Sequence, residues 1–166
     1  MFPDSDLPTI NFDEILLQID ASQKKWDGRF LGLAEQVATW SKDPSTKVGA
    51  VITRRDNTVA SLGYNGFPRH VDDSPELYAD RPTKLMRTVH AELNAILTAR
   101  EPLTNCTLYV TPLCPCSTCA AAIIQSGIHR VVYRMDQPRP EWQASFDETQ
   151  AMFKEAWVDF THYPAR

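Results

Sequence analysis

The chain has 166 residues and carries 17 Lys and Arg against 21 Asp and Glu, a formal net charge of -4. Hydrophobic residues make up 43% and charged ones 23%, ordinary globular usage that argues against a disordered or fibrous chain. The longest unbroken apolar run, Ala120 to Ile124, is far too short to span a bilayer, no charged-then-apolar leader opens the sequence, and the acidic balance argues against a general nucleic-acid binder.

Residues 1–23, with Pro3, Pro8 and five acidic residues, read as an N-terminal arm holding one short helix around Phe12, Ile15, Leu16 and Ile19. Residues 24–166 read as a single domain of a length that buries roughly 70% of its unfolded surface. Trp26, Phe30, Leu33, Val37 and Trp40 recur at the spacing of an amphipathic helix and predict a core stripe that ends at Asp43-Pro44. Val48–Thr53 and Thr58–Tyr64 are strand-like and separated by a short turn, which predicts an antiparallel hairpin. From Asn65 to Thr83 the chain is polar and interrupted by prolines, so a long loop is expected. The remainder alternates. Helix Thr88–Arg100 leads to strand Thr107–Thr111, and helix Cys116–Gln125, stopped by Gly127, leads to strand Arg130–Arg134. A helix around Ser145–Ala156 and a last strand within Trp157–Tyr163 complete the chain. This order predicts an α/β fold, a sheet with helices on both faces.

Three of the four cysteines, Cys114, Cys116 and Cys119, fall within six positions, a grouping suited to metal or redox chemistry in a reducing compartment rather than to disulfides. Cys116 and Cys119 stand three apart at a helix start, where both sulfurs face the same way and unsatisfied N–H groups favour thiolates. Thr88-Val89-His90-Ala91-Glu92 opens another helix. One His and two Cys make three ligands, and three ligands with an open fourth position are the catalytic rather than the structural zinc arrangement. Glu92 is then close to the metal without having to ligate it and can move protons as general base and general acid. Taken alone, His-x-Glu is common by chance and Cys-x-x-Cys could equally be redox-active. In this order, separated by one strand, the two form the signature of zinc-dependent nucleobase deaminases.

On these residues the sequence resembles the cytidine deaminase superfamily, and within it most closely the deoxycytidylate deaminase family. The resemblance runs from about Trp26 to Tyr133. It includes Ser41-Lys42-Asp43-Pro44-Ser45-Thr46-Lys47-Val48-Gly49-Ala50, Gly63-Tyr64-Asn65-Gly66-Phe67-Pro68, His90-Ala91-Glu92-Leu93-Asn94-Ala95-Ile96, Pro115-Cys116-Ser117-Thr118-Cys119 and Gln125-Ser126-Gly127-Ile128. It implies a three-layer α/β/α fold around a mixed sheet of about five strands, one catalytic Zn²⁺ held by His90, Cys116 and Cys119, and Glu92 as proton shuttle. It also implies a hydrolase that converts deoxycytidylate to deoxyuridylate with loss of ammonia. Asn65 would contact the sugar, and backbone groups of Ala91 and Thr111 the base. Gly63, Tyr64, Asn65 and Gly66 would help form a regulatory site for deoxycytidine and thymidine triphosphates in a cytoplasmic homo-oligomer, a dimer or hexamer. Another free nucleoside, or a base within tRNA, is the alternative substrate; the net charge and the lack of a long basic stretch count against nucleic acid. A phosphate contact would come from Arg54, Arg69, Arg81, Arg87 or Arg134. Cys114 reads as a packed thiol beside the ligands, and His70, His129 and His162 as surface or structural histidines.

Overall fold

The computed structural model describes residues 12–137 and 139–164. Its elements in chain order begin with α1 (Phe12–Ala38), β1 (Gly49–Thr53) and β2 (Val59–Tyr64), followed by α2 (Pro75–Ala79), α3 (Arg81–Arg87) and α4 (Ala91–Thr98). The second half runs β3 (Thr107–Thr111), α5 (Ser117–Gln125), β4 (Arg130–Tyr133), a 3₁₀ turn at Pro140–Trp142, α6 (Gln143–Glu155) and β5 (Asp159–His162). The strands form one mixed sheet in the order β2-β1-β3-β4-β5. β1 runs antiparallel to both β2 and β3, whereas β3, β4 and β5 are parallel. The parallel half follows from helical crossovers between its strands, as the alternation in the sequence requires.

Side chains alternate across this sheet and sort into two cores. Val51, Tyr109 and Val132 face α1, where Phe30, Leu31 and Ala34 cover them. Ala50, Ile52, Leu108, Val110 and Val131 face the other way, against Ala91, Ala95, Ala120, Ile123 and Phe153 of α4, α5 and α6. The three-layer α/β/α expectation holds, with α1 alone on one face among the described residues.

A polar hub ties the first layer to the sheet. Buried Asp27 of α1 accepts two hydrogen bonds from the Arg130 guanidinium, at 2.7 and 2.8 Å, and others from the Tyr109 hydroxyl and Gln23, each at 3.0 Å. Arg130 also donates to Asp159 at 3.0 Å. Burial pushes the Asp27 carboxyl up, but these hydrogen bonds outweigh it and hold the group below its ordinary value.

Several expectations need correction. The short helix expected in the arm is the beginning of α1 itself, which runs unbroken through residues 23 and 24. Trp40 lies past the end of that helix and is not core; it is half exposed and sits edge-on to Tyr64. The stretch 65–83 is not an unstructured loop but contains α2 and the start of α3, each opened by a proline in its first turn, where the missing N–H is tolerated. α4 begins at Ala91 rather than Thr88, because Val89 is held in an antiparallel bridge to Gly66. Arg134, expected as a candidate phosphate contact, is instead buried, paired with Glu35 and stacked over Tyr163 at 5.5 Å.

Candidate active site

Two helix starts converge at one end of the strands. His90 is the N-cap residue of α4 and Cys116 that of α5, both in extended conformation, with Cys119 in the first turn of α5. What fixes the place of α4 is Gly63 in β2: a Cβ there would collide with the backbone of Ala91 and Ala95. Gly127, at φ +83°, ends the turn after α5, as its position in the sequence suggested.

The His90 Nδ1 atom lies 3.4 Å from Cys116 Sγ and 3.4 Å from Cys119 Sγ. All three donor atoms fall within 4.8 Å of one another, and they form the one such cluster found among the described residues. A tetrahedral ion with bonds of about 2.0–2.3 Å requires donor separations of about 3.3–3.8 Å, so the nitrogen already stands at zinc-binding spacing from each sulfur. The two sulfurs share hydrogen bonds. Those from Cys119, and then from His90, hold the Cys116 thiol down to about 4, while Cys119, as the donor, is pushed up. A cation bound here would take the place of the shared proton.

Glu92 stands in the first turn of α4, only 4% exposed, outside the three-atom cluster and on the wall of the adjoining cavity. Burial raises its carboxyl above the ordinary value, partly countered by His90. Cys114 is buried on the same wall; its Sγ–H points to the Pro115 carbonyl, and burial pushes the thiol up to about 12.

The cavity, about 270 Å³, has three further walls. One is the 43–46 segment, where Asp43 Oδ1 accepts from the N–H groups of Ser45 and Thr46. Another is α3, with Arg81 and Lys84. The third carries Arg139 and Trp142 ahead of α6. Asn65 lines the cavity, and its amide stitches the first wall in place: Oδ1 accepts from Val48 N–H at 2.8 Å and Nδ2 donates to the Thr46 carbonyl at 2.9 Å. Ala91 also lines the cavity, whereas Thr111 is buried at the end of β3 and does not. Gly63 is packed beneath α4, Tyr64 is partly exposed, and Gly66 is held by Val89.

Of the five arginines read from the sequence, only Arg81 reaches this cavity. Arg54 is paired with Glu101 elsewhere, and Arg134 is buried against α1. Lys84, Arg139 and Trp142 were not singled out by the sequence reading. The spacing Arg81, Lys84, Leu85, Thr88 carries one helical face, but over a stretch too short and proline-bounded to read as a helix. His129 donates from Nδ1 to the Cys106 carbonyl at 3.0 Å and His162 packs on Tyr133, so both are structural as expected.

The family profile described as the cytidine and deoxycytidylate deaminase zinc-binding region matches residues 24–135. An uncharacterized deaminase of Aliivibrio fischeri is 46% identical over 143 residues, spanning 84% of this chain and 95% of that protein. The deoxycytidylate deaminase of Homo sapiens is 34% identical over 147 residues, spanning 84% and 80%. Among solved structures, dCMP deaminase from the cyanophage S-TIM5 shares the fold, with a TM-score of 0.66 at 20% identity over 84% of this chain and 98% of that one.

Proposed function

We propose that this chain, which belongs to the family of zinc-binding cytidine and deoxycytidylate deaminases, hydrolyses deoxycytidylate to deoxyuridylate and ammonia. The observation that carries the reading is the meeting of His90, Cys116 and Cys119 at zinc-binding spacing beside a buried carboxylate, at one end of a cavity with cations on its far walls. Human deoxycytidylate deaminase, similar over most of both chains, supports the choice of substrate.

Zinc held by these three side chains supplies Lewis-acid activation of water near neutral pH. The rest of the chemistry belongs to the protein. Glu92, kept out of bulk water, takes a proton from the attacking water and delivers it to the departing N4 amine, so one carboxylate serves as base and then as acid. As water adds to C4 and the C–N bond breaks, backbone groups of Ala91, which lines the cavity, hold the edge of the base, and Asn65 orients the sugar and keeps the 43–46 wall in position. Cys116 and Cys119 must stay reduced to bind metal, which suits a cytoplasmic setting; both are free thiols here. A homo-oligomer, and control by deoxycytidine and thymidine triphosphates at Gly63–Gly66, extend the reading, and the exposed Trp40–Tyr64 pair beside that segment supports them.

The test is an ammonia-release screen over cytidine, deoxycytidine, their monophosphates and a tRNA anticodon stem, with and without each triphosphate. Deoxycytidylate should give the highest kcat/KM. Turnover of free nucleosides alone would overturn the monophosphate reading.

A further inference from the structure

The cavity walls remote from the metal cluster carry charges that the proton chemistry leaves unused. Arg81, Lys84, Leu85 and Thr88 follow the i, i+3, i+4, i+7 spacing of one helical face, and all four line the cavity. Thr88 stands two residues before His90, so this face begins beside the metal ligands and runs away from them. Helical rise puts Arg81 about 10 Å farther along. Lys84 is already engaged: its Nζ donates to Asp43 at 3.1 Å and to Ser45 at 3.0 Å, and Asp43 balances its charge. Arg81 makes no ion pair among the described residues, and neither does Arg139, which lines the same cavity from the segment before α6.

We propose that Arg81 and Arg139 hold the single phosphate of the substrate between them and so set the preference for a nucleoside monophosphate over the free nucleoside. This rests on the reading that a pyrimidine nucleotide places its amine at His90, Cys116 and Cys119. The run of α3 then matches the reach of such a nucleotide from its base amine, across the sugar, to its 5′ phosphate. Two guanidiniums offer planar forks of donors suited to phosphate oxygens. Glu141, on the same cavity, opposes a second or third phosphate and suits the pair to one group.

The experiment compares kcat/KM for deoxycytidylate and deoxycytidine in the zinc-loaded protein and in Arg81→Gln, Arg139→Gln and the double variant. Each single change should lower the ratio of the two at least tenfold, chiefly through KM for deoxycytidylate, and the double change should lower it further. Arg81→Lys should recover part of the loss. Arg55→Gln, at the opposite end of the sheet beside Arg130, should leave the ratio as it is. Zinc content and thermal midpoint separate lost recognition from misfolding, and if one variant does not fold the other decides. Ratios within twofold of the original in both single variants would overturn the proposal. Calorimetry with deoxyuridylate keeps it distinct from the reaction itself. If the unaltered protein releases no ammonia from deoxycytidylate, but deoxyuridylate binding is present and lost in both Gln variants, the reaction reading fails and the phosphate clamp stands. Binding unchanged by both substitutions sinks the clamp whatever the reaction.

Discussion

Asp43 on the cavity wall is paired with Lys84, whereas Glu92 has no ion pair among the described residues, although it is almost fully buried. A carboxyl in that setting favours its neutral form, and it gains most from being charged when a cation sits among His90, Cys116 and Cys119. Glu92→Gln keeps the volume and removes the titration. It should retain zinc while the rate falls about a hundredfold to ten-thousandfold, the usual weight of a positioned acid–base group. Full activity in a zinc-loaded Glu92→Gln protein would rule out the shuttle. Cys116→Ala should instead lose metal and activity together, measured as zinc content by atomic absorption. The placement of these side chains was readable in the sequence because each motif is confined to one helix start, where the order of residues fixes which side chains share a face.

At the scale of elements, α4 delivers both His90 and Glu92, and its distance from the sheet depends on Gly63. Gly63→Ala would drive a methyl group into the backbone of Ala91 and Ala95, which cannot step aside as a side-chain tip could. Overpacking of this kind costs about 1–3 kcal/mol. Because it displaces α4 as a unit, kcat should fall by more than the lost stability explains. Gly66→Ala meets nothing closer than 3.7 Å and should change stability little, so paired urea titrations of the two variants give the contrast. Periodicity predicted the long elements well: the hairpin, α5 and the parallel strands stand where alternation and Gly127 put them. It failed at α2 and α3, which at five and seven residues are too short for a period to show. It failed again at Trp40, which continues the stripe two residues beyond the helix that gave it meaning.

Across the whole molecule, α1 is joined to the sheet by apolar packing and by the hub at Asp27. Removing one partner of a buried pair leaves the other charge uncompensated, so Asp27→Asn should destabilise the fold by about 3 kcal/mol at neutral pH. The sign of the pH dependence follows from the depressed carboxyl. Its contribution is fully present above the unfolded value of 3.8 and is lost as pH falls through the lower folded value. The stability gap between the two proteins should therefore narrow below about pH 4, as followed by thermal melts. A gap that stays constant in acid would show that the carboxyl titrates alike in both states. This scale is also where sequence reading reached least. The cavity is assembled from segments around residues 43, 84 and 140, and nothing local to any of them reveals that they meet. Arg134 was open to a phosphate reading for the same reason, since its pairing with Glu35 depends on α1, which is remote in the chain.

Asn65 and Gly66 form the dipeptide whose side-chain amide is most easily lost to spontaneous cyclisation, because the glycine nitrogen can attack with little hindrance. The fold blocks that ageing reaction at both ends. The amide is held by Val48 and Thr46, and the Gly66 nitrogen donates to the Val89 carbonyl at 3.1 Å. The protein's shelf life at this position is therefore a property of its folded state. Each excursion to the unfolded chain is a chance for Asn65 to become aspartate, and the product would refold with a carboxylate set against the Thr46 carbonyl it once donated to.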